Sequence, residues 1–97
     1  MPSYVVLMNW TDQGAKNASE SVSRYKAAKD DLAQRGVMLK ETYWTAGPYD
    51  VVTIVEAPDD ETAVAGLVRL AGQGNVRTTT MRAFGPDEAQ SLIERSR

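Results

Sequence analysis

The stretch VMLKETYWTAGPYDVVTIVEA, residues 37–57, reads as two β-strands folded back on each other. Val37 to Thr45 is strand-forming but sets Lys40, Glu41 and Thr42 at its middle, the composition of an edge strand. Ala46-Gly47-Pro48 makes a tight turn, and Tyr49 to Ala57 is a second strand of strongly β-branched character. A hairpin at the centre of the chain constrains what can flank it.

On its N-terminal side, Ala18, Val22, Tyr25, Ala28, Leu32 and Ala33 fall at helical spacings among charged residues. A helix is expected there from about Ala18 or Ser19 to Arg35, with Ser19 and Glu20 in its cap region and Gly36 as a left-handed stop. On the C-terminal side, Pro58-Asp59-Asp60-Glu61 is a helix start, a capping Asp followed by carboxylates at the positive end of the dipole. Ala63, Leu67, Leu70 and Ala71 repeat on one face of this helix, which Gly72 or Gly74 ends. Gly66 inside it costs ~1 kcal/mol against alanine, and close packing on the sheet would explain its presence.

Two outer strands complete the pattern. Tyr4 to Trp10 precedes the first helix, with Thr11-Asp12-Gln13-Gly14 read as a turn, and Val76 to Phe84 follows the second. Pro86 opens a short C-terminal helix through Ser91-Leu92-Ile93, whose few apolar residues must dock on this domain or on a neighbour. The order β-α-β-β-α-β specifies an α+β, ferredoxin-like sandwich with a four-stranded antiparallel sheet. Ninety-seven residues hold one core, so residues 1–97 form a single domain.

Helices cover only one face of such a sheet, yet the central strands are apolar on both. Tyr4, Val6, Met8 and Trp10 point one way and Val5 and Leu7 the other, while Val51 and Val55 oppose Val52 and Ile54. Leaving an apolar face wet costs ~25 cal/mol per Å². A second copy packed sheet to sheet is the simplest cover, so the expected partner is the chain itself, as a homodimer or a multiple of it. A charge placed at Met8 or Val51 is expected to disrupt that assembly.

Composition narrows the chemistry. There is no cysteine and no histidine, which removes disulfides, thiol catalysis, the usual zinc and haem ligands and imidazole-based triads. The net charge is −2 with scattered basic residues, against nucleic acid as a partner. The longest apolar run, Val5 to Met8, is too short to span a bilayer, and Met1-Pro2-Ser3 carries no export signal; no membrane partner is expected, and a cytoplasmic location follows by default. No metal site or cofactor is expected. Asp59-Asp60-Glu61 diverge around a helix end, and Gly72-x-Gly74 follows a helix where a dinucleotide fingerprint would open one.

In the ferredoxin-like order the third strand lies between the first and second, and the fourth flanks the first. One rim of the sheet then gathers Asn9, Trp10, Trp44, Thr45, Tyr49, Asp50, Asn75 and Arg77, a candidate pocket mouth. The other gathers Tyr4, Lys40, Glu56 and Arg82. Asp50 is either a general base or ligand anchor, tuned by Arg77, or a carboxylate holding backbone N–H groups of the hairpin turn. Trp10, Trp44 and Tyr43 either stack on an aromatic ligand or anchor a core or interface. Arg82 either binds a carboxylate ligand or pairs with Glu56 or Glu41. The candidate ligand-binding residues are therefore Asn9, Trp10, Trp44, Tyr49, Asp50, Arg77 and Arg82, with no catalytic residue assigned.

Thr11-Asp12-Gln13-Gly14, Gly47-Pro48-Tyr49-Asp50-Val51-Val52, Glu56-Ala57-Pro58-Asp59-Asp60, Gly74-Asn75-Val76-Arg77-Thr78 and Met81-Arg82-Ala83-Phe84 together resemble the GYD domain family over nearly the whole chain. Its defining tripeptide is split here by Pro48. The resemblance implies a dimeric α+β barrel, two ferredoxin-like units packed sheet to sheet. It supplies no function. Three classes are open: a homo-oligomeric module binding a small molecule or a protein, a cofactor-independent mono-oxygenase- or isomerase-like enzyme with a pocket between sheet and helices, and a structural assembly subunit. Without histidine, acid–base work in the enzyme would fall to a shifted carboxylate or tyrosine.

Overall fold

The computed structural model describes residues 1–97. It orders them as β1 (Ser3–Trp10), α1 (Asp12–Lys16), α2 (Ser21–Gln34), β2 (Met38–Trp44), β3 (Val51–Glu56), α3 (Asp60–Gly72), β4 (Val76–Ala83) and α4 (Pro86–Arg95). The sheet order is β2-β3-β1-β4 and every pairing is antiparallel. The hairpin expected at residues 37–57 is present, and β2 is an edge strand. Between Leu39 and Glu41 the β2–β3 register shifts, so Lys40 bulges without an opposite residue.

Register assigns the faces, because residues paired across antiparallel strands share one. Tyr4, Val6 and Met8 of β1, Leu39 of β2 and Val51 and Val55 of β3 are buried toward the helices, where they meet Leu32, Ala63 and Leu67. Each fully buried Val or Leu contributes about 1.5–3 kcal/mol. The other face carries Val5, Leu7, Val52, Ile54 and Met81, with no helix over it. Met8 and Val51, at 7% and 6% exposure, belong to the core and not to that face. The expectation that charges there would break assembly is corrected accordingly: a charge at either would fall in the core, and the uncovered face carries the odd-numbered residues of β1 and the even-numbered ones of β3.

The molecule measures 49 × 31 × 18 Å. Its shortest dimension is that of one sheet plus one helix layer. The radius of gyration is 14.4 Å, above the about 12.5 Å of a compact chain this long. In α4 no residue is buried, and its apolar Leu92 and Ile93 are exposed.

Caps follow the sequence closely at three ends. The Asp59 carboxylate accepts from Thr62 N–H at 2.8 Å. Gly36 (φ 86°) closes α2, with Gly36 N–H donating to Ala33 O and Val37 N–H to Leu32 O. Gly74 (φ 85°) turns the chain after α3. Two expectations need correction. Residues 11–14 are more than a turn: they begin a five-residue helix whose Thr11 hydroxyl caps Gly14 N–H at 3.1 Å. The start of α2 has no side-chain cap, since a 3-10 turn over Ala18–Glu20 feeds directly into it. Gly66 is explained by close packing, though not against the sheet. A Cβ there would lie 2.9 Å from Val37 Cγ2 and 3.2 Å from Leu32 Cδ2, at the end of α2. An Asp31–Arg69 ion pair at 2.7 Å joins the same two helices, and its hydrogen bond holds the Asp31 carboxyl below the usual range.

Candidate functional site

Between the helix-facing side of the sheet and the two long helices lies a cavity of about 60 Å³. Its floor is strand: Met8 and Trp10 of β1, Thr42 and Trp44 of β2, Val51 and Thr53 of β3. Its roof is α2, through Ser21, Arg24, Tyr25 and Ala28, with Leu70 of α3 and Asn75 before β4 closing one side. The Tyr25 and Trp44 rings meet edge to face, with centroids 5.5 Å apart at 85°. Trp44 Nε1 donates to Ser21 Oγ at 2.9 Å, which fastens the end of β2 to α2.

The polar groups in the floor are mostly matched. Thr53 is wholly buried and donates to Glu41 O at 2.8 Å, so the 2.7 Å contact with Thr42 must be a hydroxyl donated by Thr42. Two groups differ. Trp10 Nε1 is buried and has no acceptor. Arg24 gives one N–H to Asn17 O at 2.6 Å and takes part in none of the chain's ion pairs.

Of the candidate ligand-binding residues read from the sequence, only Trp10 and Trp44 line this cavity, joined by Asn75 of the same rim. Asn9 and Arg77 face each other across β1 and β4 on the opposite side of the sheet. Tyr49 sits in the hairpin turn, where its carbonyl accepts from Thr45 Oγ1 at 2.6 Å. Arg82 lies at the far end of β4. Its guanidinium is 4.5 Å from the Phe84 ring centroid and 5.7 Å from that of Tyr4, and it pairs with Glu88 of α4 at 3.6 Å, so neither Glu56 nor Glu41 is its partner. The α2 residues were missed, although Ser21, Arg24, Tyr25 and Ala28 follow the i, i+3, i+4, i+7 spacing of one helix face.

Asp50 stands beside the cavity and acts on the backbone. Its carboxylate accepts from Trp10 N–H at 2.9 Å while its own N–H donates to Met8 O at 2.9 Å. The side chain thus lengthens the β1–β3 ladder by one rung and holds the strand end that carries Trp10. Asp50→Ala is expected to lower stability by about 1.5–3 kcal/mol, the worth of a charged hydrogen bond. Asp50→Asn keeps an acceptor oxygen and should lose less than half of that. Thermal denaturation of the two variants measures the difference; equal losses would mean the charge, not the rung, matters.

At the other rim Tyr4 donates its hydroxyl to Asp60 Oδ1, tying β1 to the first turn of α3. That bond, with burial and the Asp60 charge adding to it, pushes the Tyr4 pKa up to about 12 from 10.0. Unfolded Tyr4 loses its proton near pH 10 and folded Tyr4 keeps it until about 12. Over that window the unfolded chain binds fewer protons, so stability falls as pH rises. Tyr43 is shifted in the same direction by its hydrogen bond to Glu41. The informative measurement is therefore wild type against Tyr4→Phe: the variant should show a shallower decline above pH 10.

No three acidic side chains converge on a metal-sized site, and no helix is long and apolar enough to cross a membrane. The family model of the GYD domain matches residues 4–93. A protein of Thermus thermophilus named glutamine synthetase and cystathionine beta-lyase binding protein is 37% identical over 85 residues, 87% of this chain and 90% of that one. The crystal structure of TTHA0845, also from Thermus thermophilus, is similar with a TM-score of 0.56 at 26% identity, covering 88% of this chain and 95% of that one.

Proposed function

The chain belongs to the GYD domain family, and on that premise we propose that it is a homo-oligomeric binding module whose partners include another protein. One observation carries the assembly. The bare side of the sheet is apolar along its two inner strands, where Val5 pairs with Ile54 and Leu7 with Val52, and Met81 of β4 extends the patch beside Val5. A monomer would leave this surface in water, and a second copy of the same face covers it with like residues around a two-fold axis. The family resemblance, with its dimeric α+β barrel, supports the same arrangement.

The protein partner is supported by the relative whose name states that it binds glutamine synthetase and cystathionine beta-lyase. Enzymes of that kind, from the same cell as this chain, are the partners to try first. Sedimentation equilibrium of the purified protein is expected to give twice the chain mass or a multiple of it. The pure assembly, titrated with each enzyme, should then form a heavier species with at least one of them. A chain that stays monomeric at concentrations of about 100 times a typical micromolar dimer constant would remove the assembly half of the reading. An intact oligomer that leaves both enzymes sedimenting alone would remove the other half.

A further inference from the structure

The chain has two indole N–H groups, and both belong to residues that line the cavity between sheet and helices. Trp44 Nε1 is satisfied by Ser21 Oγ. Trp10 Nε1 is buried and unsatisfied. An indole nitrogen can only donate, so this N–H wants an acceptor that the chain itself does not supply. The neighbouring hydroxyls do not supply it: Thr53 and Thr42 are engaged with each other and with Glu41 O.

The second unfilled group is a charge. Arg24 is the one charged residue lining the cavity, no carboxylate lines it, and no ion pair engages the guanidinium. Four of its five N–H donors are free once Asn17 O is counted. Most of the remaining lining is apolar, notably Met8, Tyr25 and Val51.

We propose that this cavity is a binding site for a small carboxylate with an aliphatic body, one oxygen accepting from Trp10 Nε1 and the other facing the Arg24 guanidinium. The aliphatic body packs among Met8, Tyr25 and Val51. A single cation and a single buried donor match the charge and the two oxygens of a carboxylate; a phosphate dianion would ask for more of both. The volume of about 60 Å³ confines the body to a few carbons. The assignment goes beyond the assembly reading and stands on this cavity alone.

Butanoate, butanamide and inorganic phosphate are the probes, added to ¹⁵N-labelled full-length protein. The two indole resonances give the readout, Trp44 serving as the internal reference. Butanoate is expected to move the Trp10 indole proton downfield and saturably, in roughly the millimolar range that so small a ligand permits. Butanamide has the same shape without the charge and should bind about tenfold more weakly. Arg24→Gln, a half-buried helix-surface change that leaves the backbone spectrum in place, should bring butanoate down to the level of the amide and leave the amide unaltered. No saturable movement of the Trp10 resonance would overturn the proposal and leave the space to water. So would equal binding of acid and amide, movement that persists in Arg24→Gln, or a phosphate response matching that of butanoate.

Discussion

Gly14→Ala is expected to destabilise the fold by about 3 kcal/mol, the upper part of the range for forced overpacking, and to lower the melting temperature by on the order of 15 °C. Gly14 is buried inside α1, and a Cβ on it would stand 2.0 Å from Asn75 O. That oxygen is backbone and cannot swing aside. It also accepts Thr11 N–H at 3.1 Å, so displacing it breaks the bond that seats the helix. The neighbouring links go with it: Thr11 Oγ1 to Gly74 O at 2.5 Å, and Gln13 Nε2 to Gln73 O and Asn75 Oδ1. Gly72→Ala is the control, because a Cβ there meets nothing within 4 Å. A Gly14→Ala protein that melts with the Gly72→Ala protein would mean that α1 is dispensable to the fold.

Two adjacent substitutions separate the faces of the sheet. Leu7→Glu introduces a charge on the bare face and should leave a folded chain that no longer associates. Met8→Glu introduces it one residue later, in the core, and should unfold the chain outright. An uncompensated charge buried in an interface costs about 3–5 kcal/mol, which weakens association by roughly 10²-fold or more. In a two-fold contact both copies bring the charge, so the loss is felt twice. Sedimentation and circular dichroism together read the outcome. Leu7→Glu oligomers as tight as the wild type would show that assembly uses another surface.

The sheet was legible because its signals are local. β-branched runs, a Gly-Pro turn between them and a capping Asp before the next helix leave one strand order under the rules for short connections. α1 was not legible. Five residues with a glycine among them have no periodicity to read, and what holds the helix is a backbone oxygen far along the chain, that of Asn75. The rim was read half correctly. Strand ends do collect Asn9, Trp10, Trp44 and Asp50 at one height, but the pleat sends Asn9 and Trp10 to opposite faces, and only the even-numbered residue reaches the cavity. Arg82 escaped for a further reason. Its partner Glu88 sits on α4, whose place against the sheet no strand-pairing rule determines.

The bulge at Lys40 bears on whether a further strand can add to this sheet. A sheet recruits neighbours in two ways, across its face and along its margin. Recruitment across a face is self-limiting, since the contact is used up once two copies meet. Recruitment along a margin repeats without end, because each added strand presents a fresh margin, and that is the route to fibres. At β2 the extra residue interrupts the regular row of backbone groups, and the exposed Lys40 puts a charge on that edge strand. β2 is therefore a poor template for a further strand, whereas β4, the other edge of the sheet, keeps an unbroken register and is the margin along which a strand could add.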